Sequence, residues 1–237
     1  MTGLLVQLKP FVAQLWAALY CDRGDRETIY TAQVSSALLW LRTLFISTSH
    51  MFAIRHFKPP RVKAVISTDA SPEGGGALLH YLPADVAVSM ELLSATQPWA
   101  WISTRWTEID ERRAGASIGD AGGQARWEAY MAVGAIKKWA GPALEARGGI
   151  TVVGDALGVM FGASVLRSKD RRINMLLQEL ALVFAPRGFS LDAVHVWSED
   201  NAMADYLSRM KAESEIPVSL KGVSRTSWFG PEPWLIV

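Results

Sequence analysis

Cysteine is nearly absent: Cys21 is the single one in 237 residues. An internal disulfide is thereby excluded, and the usage suits a reducing compartment. An excess of charge of either sign is missing too, since 24 Lys and Arg face 23 Asp and Glu for a net +1. No global field advertises a nucleic-acid binder, so any polyanion has to be met by a local patch. Long apolar runs are lacking, and nothing approaches the roughly 20 residues that span a bilayer. The opening MTGLLVQLKPFVAQLWAALYC is interrupted by Gln7, Lys9, Pro10 and Gln14. It also lacks the basic start and small-residue cleavage site of a secretory signal, so a soluble, intracellular chain without membrane contact is expected. Internal repeats and low-complexity segments are absent. Gly74-Gly75-Gly76 has neither the spacing nor the context of a phosphate-cradling loop and reads as a hairpin turn.

What is present is an ordinary globular balance, half apolar and a fifth charged, with ten tryptophans to anchor a core. Residues 10–20 and 31–46 are predicted helices; in the second, Val34, Leu38, Leu41 and Phe45 recur at helical spacing. The basic, proline-broken RHFKPPRVK at 55–63 reads as a linker. Beyond it the pattern predicts strands at 62–68, 77–82 and 99–106, then a loop over 108–123. A helix from about Ala125 to Trp139 should stop before Gly141-Pro142. GGITVVGDALG at 148–158 is a continuous apolar strand ending at Asp155, of the kind buried on both faces. Helical pattern follows at 156–166 and 171–185, a strand at 190–197 and a short helix at 198–210. Three strands in a meander, with later strands brought in by crossover helices, make a mixed α/β sheet covered by helices. The division expected is a helical segment at 1–60, an α/β domain at 61–210 and a tail at 211–237.

Acidic residues occupy telling places in that pattern. Asp69 ends the first strand, Asp155 ends the fourth, and Glu128 lies in the first turn of the crossover helix. If strands one and four are parallel neighbours, both aspartates leave the sheet at its carboxyl edge, where open α/β sheets bind ligands. Asp205, in the last helix, reaches the same rim if that helix packs across it. Crowded carboxylates resist ionising unless a cation compensates. Oxygen ligands without a His/Cys cluster point to Mg²⁺ or Mn²⁺, and a pair of such ions can activate water and stabilise a leaving oxygen in phosphodiester hydrolysis.

Each acid also has a structural alternative. Asp69 could shape a turn, Glu128 complement a helix dipole, Asp155 cap a helix, and Asp205 pair with Arg209 four residues on. Arg167, Lys169, Arg171 and Arg172 form the densest basic cluster, either a solvated helix junction or a contact to a phosphate backbone. Arg55, Lys58, Arg61 and Lys63 make a second such patch, read as solvated. Trp99, Trp101 and Trp106 are read as core or edge packing rather than base-stacking platforms, and His195 and Trp197 as serving their strand.

Taken in order, STDASPEGGGALL, WEAYMAVGAIKKWA, VVGDALGVM and VHVWSEDNAMADYLSR resemble the four motifs of type 1 ribonuclease H. The likeness is strongest to the ribonuclease H domain at the C-terminal end of retroelement reverse transcriptases. It covers about residues 62–210. It implies a ribonuclease H-like mixed five-stranded sheet, three antiparallel strands followed by parallel additions. It also implies hydrolysis of the RNA strand of RNA–DNA hybrids with two Mg²⁺ or Mn²⁺ ions held by Asp69, Glu128, Asp155 and Asp205. KPFVAQLW and ALLWLRTLF resemble the segment that joins polymerase to ribonuclease H, so a polymerase partner is implied. With no adjacent aspartate pair of the polymerase kind, the chain reads as a C-terminal portion of such an element. The sequence departs from the family at Ser198-Glu199-Asp200, where a proline-glycine turn is common, and His195 does not fit the family's mobile-loop histidine. Two rivals stay open: a catalytically inactive, nucleic-acid-binding relic, and another nuclease or strand-transfer enzyme of the same fold.

Overall fold

The computed structural model describes residues 31–47, 62–145, 149–184 and 191–231, together with the helical Leu15. The rest of the predicted helix at 10–20, and residues 55–61 of the predicted linker, lie outside the described residues. The second predicted helix is there as α1, Thr31–Ser47. Its apolar stripe is partly exposed: Ala37 is fully buried while Leu38, Leu39 and Ile46 are exposed. Leu41 packs against the main core.

Six strands build one sheet in the order β5-β4-β1-β2-β3-β6. β1 (Val62–Ser71), β2 (Gly74–Pro83) and β3 (Ala100–Arg105) form the expected antiparallel meander. β4 (Ile150–Gly154) pairs parallel with β1, and β5 (Leu191–His195) pairs parallel with β4. β4 reaches β1 only by crossing over on a long helix, α4 (Gln124–Glu145), as parallel pairing requires. The sixth strand exceeds the expected five. β6 (Ser224–Arg225) lies in the stretch read as tail and pairs parallel with β3.

Strand alternation sorts the core into two layers. Ala64, Ile66, Leu79, Ile102 and Val152 face the cluster built on α4, α5 (Leu157–Val165) and α6 (Arg171–Phe184). Val65, Leu78, Trp101 and Val153 turn to the opposite face, where α2 (Met90–Ala95) and α7 (Ala202–Arg209) lie.

Several local expectations are corrected. The three glycines are not the turn; they begin β2, and the chain reverses at Pro72-Glu73. A side chain at Gly75 would run into the Trp106 ring and Met131, and one at Gly76 into the α7 backbone and Leu207. Glycine in a strand thus marks close approach of neighbours rather than a bend. The charged run predicted as loop holds α3 (Glu108–Ala114), whose start is fixed by a reciprocal cap between Thr107 and Asp110. The loop after Pro83 likewise contains α2, capped by Ser89. α4 continues through Gly141-Pro142, because packing of the preceding turns outweighs the local helix-breaking preference. α7 is shorter than expected, residues 198–200 forming the turn before it.

Asp110 has a second task. Buried to 4% exposure, its Oδ1 accepts from Tyr130 Oη at 2.9 Å and from Trp228 Nε1 at 3.2 Å, while Oδ2 accepts from the Thr107 backbone and hydroxyl. Around it Trp106 stacks on Trp127 at 4.7 Å and meets Tyr130 and Trp228 edge-on. One carboxylate therefore ties the C-terminal stretch to α3 and α4. Asp110→Ala would strand the Tyr130 and Trp228 donors and remove the carboxylate half of the capping box, an expected cost of about 2–4 kcal/mol. A urea denaturation midpoint indistinguishable from wild type would contradict that role.

Candidate metal centre

β1 and β4 run parallel with Ser67 opposite Val153. Two residues further along both chains come Asp69 and Asp155, so the register itself brings them side by side at the carboxyl edge. Glu128 arrives from the first turns of α4, which crosses the same edge; its Oε1 accepts from the Ala70 backbone at 3.2 Å and from Gln124 Nε2 at 2.8 Å. Gln124 also donates to the Ala70 carbonyl, clamping the helix to the strand end. Carboxylate oxygens of Asp69, Glu128 and Asp155 lie within 4.8 Å of one another.

Three acids this close are electrostatically unhappy without a cation. Burial pushes Asp69 up to about 7, with Asp155 and Asp205 adding to the rise against a lowering hydrogen bond from Ser208. Glu128 is driven well above the usual carboxylate range by burial first, then by Asp69 and Asp155. Asp69 Oδ2 is buried and has no hydrogen-bond partner in the protein. An all-oxygen donor set with an orphaned, buried carboxylate oxygen fits a hard divalent ion such as Mg²⁺ or Mn²⁺.

Asp205 stands apart from that trio. It belongs to α7, is bound by Arg209 at 2.8 Å in an i,i+4 ion pair, and has a side chain 40% exposed. Its charge still reaches Asp69. The structure therefore assembles three of the four acids closely and sets the fourth alongside, paired with a cation of its own helix.

Further residues support these carboxylates. Ser198 Oγ donates to Asp155 Oδ2 at 2.5 Å, so the turn before α7 orients a carboxylate. His195 Nε2 contacts the Asp155 carbonyl at 3.0 Å, and its ring meets Trp197 edge-on. Asn201 Nδ2 donates to the Thr68 carbonyl at 2.9 Å, pinning the start of α7 to the strand beside Asp69. Gln124 could have been found from its place one helical turn before Glu128; Ser198 and Asn201 depend on contacts across the fold.

The basic cluster sits at the junction of α5 and α6. Arg167, Lys169 and Arg171 are exposed, while the half-buried Arg172 lies against Gly115. Asp170 caps α6 through the Arg172 and Ile173 amides and pairs with Arg126 at 3.0 Å. Arg126 is in the opening turns of α4, so this ion pair holds the cluster beside the helix end that carries Glu128. Trp101 and Trp106 are buried as expected, whereas Trp99 is 66% exposed and touches Tyr81 edge-on. Lys63 donates to the Val86 carbonyl, a structural contact.

No family model matches the sequence, and no curated protein matches it. Among solved structures, a ribonuclease H1 isolated from compost by a metagenomic approach aligns with 61% of this chain and 91% of its own, at 16% identity and a TM-score of 0.43. A likeness that remote carries nothing about activity. No helix among the described residues is long and apolar enough to cross a membrane.

The acids give a pH dependence whose sign is fixed. Asp69 has a folded pKa of about 7 against an ordinary 3.8, so ionising it opposes folding. In metal-free protein the associated stability is complete below about pH 4 and is lost as the pH climbs through about 7. Excess Mg²⁺ should consequently raise the melting temperature at about pH 8 and change it little at about pH 5. Asp69→Asn should abolish the difference. Equal Mg²⁺ effects at both pH values in the unmutated protein would argue against a carboxylate metal centre.

Proposed function

We propose that this protein is a metal-dependent endonuclease that hydrolyses the RNA strand of RNA–DNA hybrids, as the ribonuclease H domain of a retroelement reverse transcriptase. The observation that carries the proposal is the convergence of Asp69, Glu128 and Asp155 within 4.8 Å at the carboxyl edge of two parallel strands. The order of the sequence motifs supports the same assignment. Asp69, Glu128 and Asp155 would hold Mg²⁺ or Mn²⁺, and Asp205 would complete the set by parting from Arg209. When bound, a pair of such ions neutralises charge on the phosphate and makes water more acidic. The chain's own part is to hold the carboxylates in place: Gln124 and the Ala70 amide fix Glu128, and Ser198 fixes Asp155. Discrimination for RNA would come from contacts to 2′-hydroxyls, which DNA lacks.

Asp155→Asn should leave the fold intact and remove Mg²⁺-dependent cleavage of an internal hybrid. Single-stranded DNA and duplex DNA should remain uncut by the unmutated protein. Cleavage by the variant at the wild-type rate would reject the assignment, and cutting of duplex DNA would favour another nuclease of this fold. One observation favours the inactive, binding-only alternative, namely the Arg209 pairing of Asp205. That reading predicts hybrid binding without turnover in the same assay.

Arg167, Lys169 and Arg171 are assigned to the hybrid's phosphates. Each exposed cation that neutralises a phosphate contributes about 0.7–0.9 to the slope of log K against log salt. Replacing all three by alanine should weaken binding regardless of sequence and flatten that slope by about 2–3. A slope identical to wild type would return the cluster to a solvated helix junction. The exposed Leu38, Leu39 and Ile46 of α1 support a polymerase portion as the neighbour of the helical segment.

A further inference from the structure

Asp205 carries a counterion of its own. Arg209 sets Nε at 2.9 Å and Nη2 at 2.8 Å from Asp205 Oδ1, so one carboxylate oxygen receives both contacts. The guanidinium does not act on Asp205 alone. Its charge lowers Asp69 against the effect of burial, and Asp69 and Glu73 in turn favour its own charged form. Arg209 is therefore a resident positive charge beside the carboxylate cluster, held by the same field that would draw a divalent ion.

The clustered acids and the fourth differ in what an ion has to displace. Asp69, Glu128 and Asp155 bring oxygens within 4.8 Å of one another, braced by the neutral donors Ala70 N, Gln124 and Ser198. Asp205 presents a carboxylate already neutralised. Its pair is of the weak kind, though, for the two side chains are 65% and 40% exposed and sit one turn apart on a single helix. Room for release is at hand. A hollow of about 370 Å³ adjoins the pair, lined by Glu199, Tyr206 and Glu215 together with Asp205 and Arg209. A guanidinium that leaves Asp205 finds solvent there and two other carboxylates. The helix has no need to move. Ser71 and Ser103 hydroxyls hold the Ser208 and Leu207 carbonyls at 3.0 and 2.8 Å, and Asn201 pins the start of α7 to Thr68. Release is a side-chain rotation on an anchored helix.

We infer that Arg209 is a positioning residue that sets the order of metal loading. Asp69, Glu128 and Asp155 take a first divalent ion with Arg209 in place, and Asp205 takes part in holding a second only when Arg209 lets go. The inference rests on the metal-centre reading of this site, and it gives the Asp205–Arg209 pair a purpose other than inactivation.

Mn²⁺ titrations of the full chain, with free ion counted by its paramagnetic resonance signal, test this without any substrate. The unmutated protein should bind a second ion at least about 10-fold more weakly than the first. Arg209→Gln should tighten the second by about 3- to 10-fold, with a smaller effect on the first. Arg209→Lys keeps the charge and should restore the gap. Asp205→Asn should remove the second step alone. The same gap in Arg209→Gln as in the unmutated protein, or one ion in both, would overturn the inference and leave the metal centre standing. No ion bound by any of these proteins would overturn both.

Discussion

Parallel pairing of β1 with β4 places two aspartates next to each other, and the rest of the site is built to tolerate the result. The register that sets Ser67 opposite Val153 brings Asp69 and Asp155 together two residues later, and α4 adds Glu128 from the same edge. Burial and mutual repulsion then hold two of the acids above their ordinary ionisation range. Nothing in folding alone rewards such an arrangement. A divalent ion would, and the network around the acids holds their oxygens where one could bind.

That network draws on distant parts of the chain. Gln124 and the Ala70 amide hold Glu128, Ser198 holds Asp155, and Asn201 fixes α7 against β1. The glycines that open β2 belong to the same construction. With side chains there, α7 and Trp106 would be pushed off the sheet, and Asp205 and Ser208 with them. Further away, Asp110 and its ring of aromatic groups lock the C-terminal stretch onto α3 and α4, which stiffens the helix that presents Glu128. The two faces of the sheet thus differ in purpose. One is a dense hydrophobic layer that carries the crossover helix, and the other combines α7 with its polar anchors.

Where local pattern and structure differ, the differences share a cause. Gly74–Gly76 looks like a turn because glycine favours turns, yet its role is set by what packs above it. The run after Trp106 looks like loop because it is charged and glycine-rich, yet Thr107 and Asp110 cap a helix that buries Asp110 and leaves Glu108 and Arg112 exposed. α4 passes Gly141-Pro142 although local preference says it should stop. β6 is only two residues long and has no pattern of its own; it exists because β3 offers an edge.

By itself the sequence determined the order of the five longer strands and the long helices, the parallel entry of the fourth strand and the positions of the acids along the chain. These follow from period-two and period-3.6 patterning and from strands that end on carboxylates, all of which are local. Tertiary structure alone decided that three of the acids meet while Asp205 turns to Arg209. It also decided that Ser198 and Asn201 brace the site, and that a hollow opens beside Asp205 and Arg209. Side-chain partners across a sheet edge depend on the angle and depth at which helices settle, and that is set by the packing of the whole core rather than by any segment within it.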